Sequence, residues 1–192
     1  MLCSICLAAG CSRRDFLTRH LAADLINESN TFKTTQEFWL HTGTTSNKDY
    51  SSPEYLVLQH RGWITAATVS CPPNVEPAPC WDVALTPLGV GVFRDLLPPD
   101  ATQKQYFSIA AARRQLVEIT GIAKSNGLAD VDFQWRWFPV NEVGAALYGN
   151  GVQYRSTVTF REYDDGWRVL EGELPKTGES LEEALKNAHP IQ

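Results

Sequence analysis

The sequence predicts an α+β protein in which a C-terminal antiparallel sheet holds most of the regular structure. Between Val131 and Leu170 apolar and polar residues alternate, which is typical of strands with one buried and one solvent-facing side. Asp165-Gly166 lies between two such runs and favours a tight hairpin turn. Helix signals are denser in the first half of the chain. We therefore predict a small N-terminal part with helices and two strands, followed by a curved antiparallel sheet with one short helix.

The elements of the N-terminal half follow from apolar spacing and from capping residues. Ser51-Ser52-Pro53-Glu54 has the order of a helix start, with a capping serine, proline in the first turn and a glutamate three residues after Ser51. Gly62 suits the end of that helix. The predicted elements are a helix over 14–28, an extended segment around 38–40, a loop over 41–52, a helix from 53 to 62, strands over 63–70 and 81–85, and a short helix over 86–96.

The C-terminal half is dominated by strands. Asn141 is a candidate cap for a short helix, and Ser180 with Glu183 has the spacing of a capping box. The predicted elements are strands over 105–110, 114–123, 129–138, 152–163 and 167–170, and helices over 142–148 and 180–188. The predicted division of the chain is a signal segment over 1–10, an N-terminal domain over 11–97, a linker over 98–103, a sheet domain over 104–171 and a tail over 172–192.

Composition limits the function classes. The 192 residues are 43% hydrophobic and 20% charged, which is ordinary for a soluble globular protein. The net charge of −5 argues against a general affinity for nucleic acid. We therefore expect no nucleic-acid partner.

The first eleven residues form an apolar, uncharged segment that ends in Leu7-Ala8-Ala9-Gly10-Cys11. This motif resembles the lipobox of bacterial lipoproteins. The resemblance implies cleavage before Cys11, attachment of a lipid to its thiol, and a membrane-anchored protein of the cell envelope that faces the periplasm. Ser12 resembles the sorting signal for the outer membrane. The chain departs from the family at Ala8 and in lacking a basic segment, so a buried N-terminal segment with cytosolic thiols remains the alternative.

Cys71 and Cys80 flank a proline-rich loop between two predicted strands. In an oxidising compartment such a pair is well placed to form a disulfide. A metal site is the weaker interpretation, because no C-x-x-C pair or histidine at ligand spacing accompanies the two cysteines. Free thiols remain the alternative if the protein is not exported.

Residues 53–96 resemble part of a winged-helix unit, with a helix ending near Arg61-Gly62, a two-stranded wing, and Leu85-Thr86-Pro87 opening the next helix. Local charge argues against DNA binding through it, since four acids stand against two bases between Tyr50 and Leu97. The final strands, around T-F-R-E-Y-D-D-G-W-R-V, are similar to the last hairpin of cystatin-like cone folds. That resemblance implies a concave face that holds a ligand or a partner.

The tryptophans of the predicted sheet are candidates for a ligand pocket, with an arginine to orient an anion. The alternative is that these tryptophans form the core of the sheet. The candidate pocket residues are Trp135, Arg136, Trp137, Arg155 and Trp167. The four histidines lack partners in any recognisable motif, and we interpret them as surface or packing residues. No hydrolase or metalloprotease motif is present, so we predict no catalytic residue, no metal and no cofactor.

Three hypotheses follow. The first is a lipoprotein of the cell envelope that is anchored to a membrane through Cys11 and acts as a non-catalytic binding or interaction module, with an unidentified protein as a possible partner. The second is a small-ligand enzyme that uses the concave face of the C-terminal sheet. The third is a cytosolic winged-helix regulator, which the local acidity disfavours.

Overall fold

The computed structural model describes residues 16–73, 78–97, 106–172 and 178–191. It shows the predicted α+β class, with a large antiparallel sheet, a smaller second sheet and short helices. The helices are α1 (Arg19–Glu28), α2 (Asn30–Lys33), α3 (Asn47–Tyr50), α4 (Pro53–His60), α5 (Pro87–Phe93), α6 (Glu142–Tyr148) and α7 (Leu181–Lys186). The strands are β1 (Gln36–His41), β2 (Gly43–Ser46), β3 (Ile64–Val69), β4 (Cys80–Leu85), β5 (Tyr106–Ser125), β6 (Leu128–Pro139), β7 (Gln153–Tyr163), β8 (Gly166–Val169) and β9 (His189–Ile191).

The large sheet has the strand order β1-β5-β6-β7-β8, and β9 pairs with β7. The long alternating segments predicted as strands all lie in it. Its β5–β6 connection turns through Asn126 and Gly127, which both have positive φ, and glycine takes such a conformation at little steric cost. At the β7–β8 hairpin Tyr163 pairs with Gly166. The predicted hairpin is therefore confirmed.

The smaller sheet has the order β2-β4-β3. Its β3–β4 hairpin, with α4 before it and α5 after it, has the element order that the sequence predicts for residues 53–96. The two sulfur atoms of Cys71 and Cys80 lie 2.11 Å apart, so the structure brings the predicted cysteine pair to disulfide distance. The winged-helix resemblance itself stays a prediction, and strand β2 adds a third strand to the expected wing.

Several local expectations are wrong. Residues 41–52 are not a continuous loop, because β2 pairs along β4 and Ser46 then caps α3 by accepting a hydrogen bond from the Asp49 amide. Thr45 of β2 is fully buried although the segment is polar. The first helix begins at Arg19, where Thr18 provides the N-cap, and not at residue 14. Helix α5 ends at Phe93, before residue 96.

Two compact units can be distinguished, and each is assembled from separate segments. The first comprises 1–33, 116–136 and 153–192, and the second comprises 34–115 and 137–152. The sequence instead predicts continuous domains over 11–97 and 104–171. The difference has a physical reason: β1 from the N-terminal half pairs with β5, and the long strands β5 and β6 contribute residues to both units. The signal segment with Cys11 and the linker over 98–103 lie outside the described residues.

The second unit has an aromatic core around α4 and the small sheet. Trp63 and Phe93 meet edge to face with ring centroids 6.2 Å apart. The buried cluster consists of Phe38, Leu40, Tyr50, Tyr55, Leu58, Trp63, Ile64, Val83, Phe93, Phe107, Ile109, Ala111 and Val143. Asn141 caps α6 by accepting a hydrogen bond from the Gly144 amide and also donates to the Ala110 carbonyl of β5. This confirms the predicted cap and attaches α6 to the sheet.

The first unit is built on the inward side of β6 and β7. Phe133 and Phe160 are fully buried there, as the alternation predicts. Ser180 and Glu183 form the predicted capping box at the start of α7. Helix α7 buries Leu181, Ala184 and Leu185 and is therefore packed into the unit rather than loosely attached.

Candidate ligand cleft

An open cleft of about 510 Å³ lies on the second unit. Strand β1 forms one side of it, and the remaining lining comes from α3, α4, the start of β5 and the end of α6. The lining residues are Gln36, Glu37, Phe38, Trp39, His41, Lys48, Asp49, Ser52, Glu54, Tyr55, Tyr106 and Tyr148. Five of these twelve are phenylalanine, tyrosine or tryptophan, so the lining is rich in aromatic surface.

Strand β1 supplies both the packing and the exposed aromatic surface of the cleft. Phe38 and Leu40 point into the core, and Trp39 between them is 61% exposed. His41 and Tyr106 are directly paired across β1 and β5, and cross-strand partners lie close enough for their side chains to touch. Their rings stack with centroids 3.9 Å apart, while Tyr106 remains 61% exposed. The pairing therefore fixes an aromatic platform that still presents surface to solvent.

Tyr55 of α4 fixes the end of β1 through hydrogen bonds to its backbone. Its hydroxyl accepts a hydrogen bond of 2.5 Å from the His41 amide and donates one of 3.1 Å to the His41 carbonyl. Burial raises the pKa of Tyr55 to about 12, and the backbone hydrogen bond from His41 opposes that rise only in part. Tyr55 is therefore neutral at physiological pH and holds the backbone of the cleft in place.

His41 is kept neutral and its ring is oriented. Burial lowers the pKa of His41 below its ordinary value, and the charge of Asp49 offsets only part of this effect. The Thr45 hydroxyl lies 3.3 Å from Nδ1 and 3.2 Å from the Gly43 carbonyl oxygen, so it ties the edge of the ring to the backbone of β2.

Three carboxylates line the cleft, and two are held by serine hydroxyls. Ser108 donates to Glu37 at 2.7 Å, and Ser46 donates to Asp49 at 2.8 Å. Glu54 is half-buried near the start of α4. A hydroxyl restrains a carboxylate without neutralising its charge. The negative charge of the cleft is therefore positioned and only partly offset by one lysine, Lys48.

Tyr148 closes the side formed by α6. Burial raises its pKa, a hydrogen bond with the Gln36 side chain lowers it, and the charge of Glu54 raises it further. The hydroxyl is therefore protonated at physiological pH and is available as a neutral polar group.

The predicted pocket residues lie elsewhere. Trp135 is 3% exposed in the core of the first unit, where its Nε1 donates to the Ser156 hydroxyl at 3.1 Å and its ring stacks on Tyr154. Trp137 belongs to the second unit, and the Arg114 guanidinium lies over its ring, with Cζ 4.8 Å from the ring centroid. Trp135 and Trp137 therefore belong to different compact units.

The remaining candidates also lie outside the cleft lining. Arg136 is half-buried and Arg155 is exposed on β7, both in the first unit. Trp167 is 6% exposed and lines a smaller pocket of about 370 Å³ with Asp24, Glu28 and Arg168. That pocket also contains Asp165, which forms an ion pair with Arg168. The pair occupies charged groups that a ligand of this pocket would otherwise use.

Sequence reasoning missed the cleft. Trp39, His41, Tyr106 and Tyr148 come from separate parts of the chain, and His41 was expected to be a surface or packing residue. The alternation around Phe38 and Leu40 indicates only that Trp39 lies on the outward side of β1. No local pattern indicates which strand pairs with β1.

Within the described ranges, no three histidine, cysteine, aspartate or glutamate side chains are grouped so that they could hold a metal ion. The helices in that part of the chain are all too short or too polar to cross a membrane. What the structure defines is thus an α+β protein with an aromatic, acidic cleft. No family model, curated protein or solved structure matches this chain.

Proposed function

We propose that this protein is a lipoprotein of the bacterial cell envelope that binds a small molecule without transforming it. Two separate features support the two parts of this proposal. The lipobox-like segment Leu7-Ala8-Ala9-Gly10-Cys11 supports the membrane anchor. The cleft of the second unit supports ligand binding.

The cleft is the observation that carries the binding function. Its volume of about 510 Å³ is within the range of roughly 300–1,000 Å³ that small-molecule sites occupy. Exposed rings provide apolar contact area, and a few restrained polar groups provide orientation. This combination of aromatic walls and few placed polar groups is typical of ligand sites.

The internal hydrogen bonds of the cleft favour binding over catalysis. Tyr55 uses its hydroxyl as both donor and acceptor toward the backbone of His41. A pKa of about 12 also places this phenol far from the range where it would exchange protons near neutral pH. His41 is the histidine of the lining, and its ring is engaged in stacking on Tyr106.

Ligand binding is testable by fluorine NMR of protein that carries 5-fluorotryptophan. A panel of neutral sugars, amino acids and organic amines is added, and the resonance of Trp39 is assigned with a Trp39→Phe variant. We expect at least one compound to shift the Trp39 resonance, because this exposed ring lines the cleft. The buried Trp135 resonance is the internal control and should stay in place. The bound compound should be recovered chemically unchanged.

Two outcomes contradict this part of the proposal. If no compound shifts the Trp39 resonance at millimolar concentration, the cleft is not a small-molecule site of the tested classes. If the bound compound is converted to a product, the protein is an enzyme, as the alternative hypothesis states.

The anchor is testable by fractionation and intact mass in a bacterial host. Wild-type protein should be extracted from membranes with an N-terminal lipid on Cys11, and the Cys11→Ser variant should lose the lipid because serine supplies no thiol for it. A Cys71→Ser variant controls for general effects of losing a cysteine and should remain lipidated. Recovery of wild-type protein with an unmodified Met1 in the soluble fraction would refute the anchor.

A further inference from the structure

We infer that the ligand of this cleft is an organic cation with a methylated or quaternary ammonium group. This inference rests on the proposed binding function and adds the chemical class of the ligand. It comes from three features of the lining: its charge, its aromatic surface and the way both are held.

The charge of the lining is negative. Glu37, Asp49 and Glu54 stand against one ammonium group, that of Lys48. His41 adds no positive charge at neutral pH, because burial lowers the pKa of its ring. Lys48, Glu37 and Asp49 are all exposed, whereas Glu54 is half-buried and its charge is therefore less screened by solvent. An anionic ligand would meet repulsion here, and a cationic ligand is attracted.

The aromatic surface suits a cation that is too weakly hydrated to be held by carboxylates alone. Trp39 and Tyr106 each expose 61% of their surface, and Tyr106 is immobilised by its stack on His41. The faces of aromatic rings carry partial negative charge and attract cations within roughly 6 Å. Aromatic cages recognise quaternary ammonium groups in this way.

Part of the lining is held in place before a ligand arrives. Ser108 restrains Glu37, and Ser46 restrains Asp49, through neutral hydrogen bonds. The Tyr55 hydroxyl is hydrogen-bonded to both the amide and the carbonyl of His41. A site in which the Tyr106 ring and two carboxylates are already held loses less conformational entropy when it binds. Neutral sugars also stack on aromatic rings and donate hydroxyl groups to carboxylates, but they gain no charge–charge attraction from the net negative lining, so a neutral sugar belongs in the test.

The test compares choline with 3,3-dimethylbutan-1-ol, its neutral isostere, in which carbon replaces the ammonium nitrogen. The shift of the Trp39 fluorine resonance and calorimetric titration both report binding. We expect choline to bind about tenfold more tightly than the isostere, because only the charge differs between them. N-acetylglucosamine is the neutral sugar of the comparison and should bind more weakly than choline.

Variants test the origin of the preference. Glu54→Gln keeps the size of the side chain and removes its charge, so it should weaken choline binding several-fold and leave binding of the isostere unchanged. Trp39→Ala should weaken both. Glu162→Gln, on an exposed residue of the first unit, is the matched control and should change neither. Circular dichroism of each variant checks that the fold is retained.

The outcomes separate this inference from the proposed function. If the isostere or the sugar binds in the cleft as tightly as choline does, the protein is a binding module but the cationic class is wrong. If Glu54→Gln weakens choline and the isostere equally, charge is not the basis of recognition and the inference falls. If neither these probes nor the wider panel shifts the Trp39 resonance, the proposed binding function falls with it.

Discussion

Gly89→Ala should lower the free energy of unfolding by about 1–3 kcal/mol, although alanine is the better helix former. Gly89 lies buried in the first turn of α5, where the helix rests on the backbone of Trp63. A Cβ atom at this position would lie 1.9 Å from the Trp63 carbonyl oxygen. The obstacle is backbone rather than a flexible side chain, so the helix must move to relieve the overlap.

Gly91→Ala on the same helix is the matched control and should have the opposite effect. Among the residues that the structure describes, no atom lies within 4 Å of the Cβ position at Gly91, and the residue is exposed. We expect an increase of about 0.5–1 kcal/mol, the difference in helix propensity between the two residues. Both substitutions restrict the unfolded chain equally, so the contrast isolates the contact with Trp63. Urea denaturation followed by circular dichroism measures both, and a shift of the same sign in the two variants would refute the close packing.

Phe133→Ala should lower the free energy of unfolding by about 3–5 kcal/mol, a larger loss than that of Gly89→Ala. Phe133 is fully buried on β6 in the first unit, and its ring meets that of Phe32 edge to face at 6.5 Å between centroids. Removing the ring loses apolar contact and leaves a cavity that the surrounding strands and α2 fill only in part.

Phe138→Ala removes the same side chain from the exposed end of the same strand. Phe138 is 40% exposed, with the Arg113 guanidinium 5.1 Å from its ring centroid. Its loss should cost about 1 kcal/mol or less, because little buried contact disappears. Thermal and urea unfolding of the two variants provide the comparison. Equal losses in both would mean that the burial of Phe133 does not stabilise the first unit as described.

The cleft arises from ordinary strand geometry. In β1 the inward side chains Phe38 and Leu40 build the core, and the outward Trp39 is left on the surface by the same alternation. Pairing with β5 then adds Tyr106 beside His41. Carboxylates from α3 and α4 complete the lining because those short helices pack next to the end of β1.

Features with local causes were predictable from the sequence. The capping box of α7 needs only Ser180 and Glu183, and the cap of α6 needs only Asn141 and the amide of Gly144. The β7–β8 hairpin depends on a few turn residues between two alternating segments. In each case the residues that determine the structure lie within a few positions of one another, so a sequence pattern contains all the information.

The interpretation of the sheet tryptophans shows where such patterns stop. Alternation correctly places Trp135 on the inward side of β6, where it is buried and bonded to Ser156. It places Trp137 on the same side of the strand, yet this residue belongs to the other compact unit. A period of two specifies the side of a strand but not what packs against that side at each position.

The sequence by itself determined the α+β class, the hairpins and the caps of α6 and α7, because each depends on neighbouring residues. The serine cap predicted for α4 is not formed, because the Ser52 side chain makes no capping hydrogen bond there. Only the tertiary structure decided that β1 pairs with β5, that the polar segment 43–46 becomes a strand, and that residues from five elements line one cleft. The physical reason is that backbone hydrogen bonds are alike in all strands. An alternating segment can therefore pair with many other strands. The side chains that pack against its two faces select which strand becomes its partner.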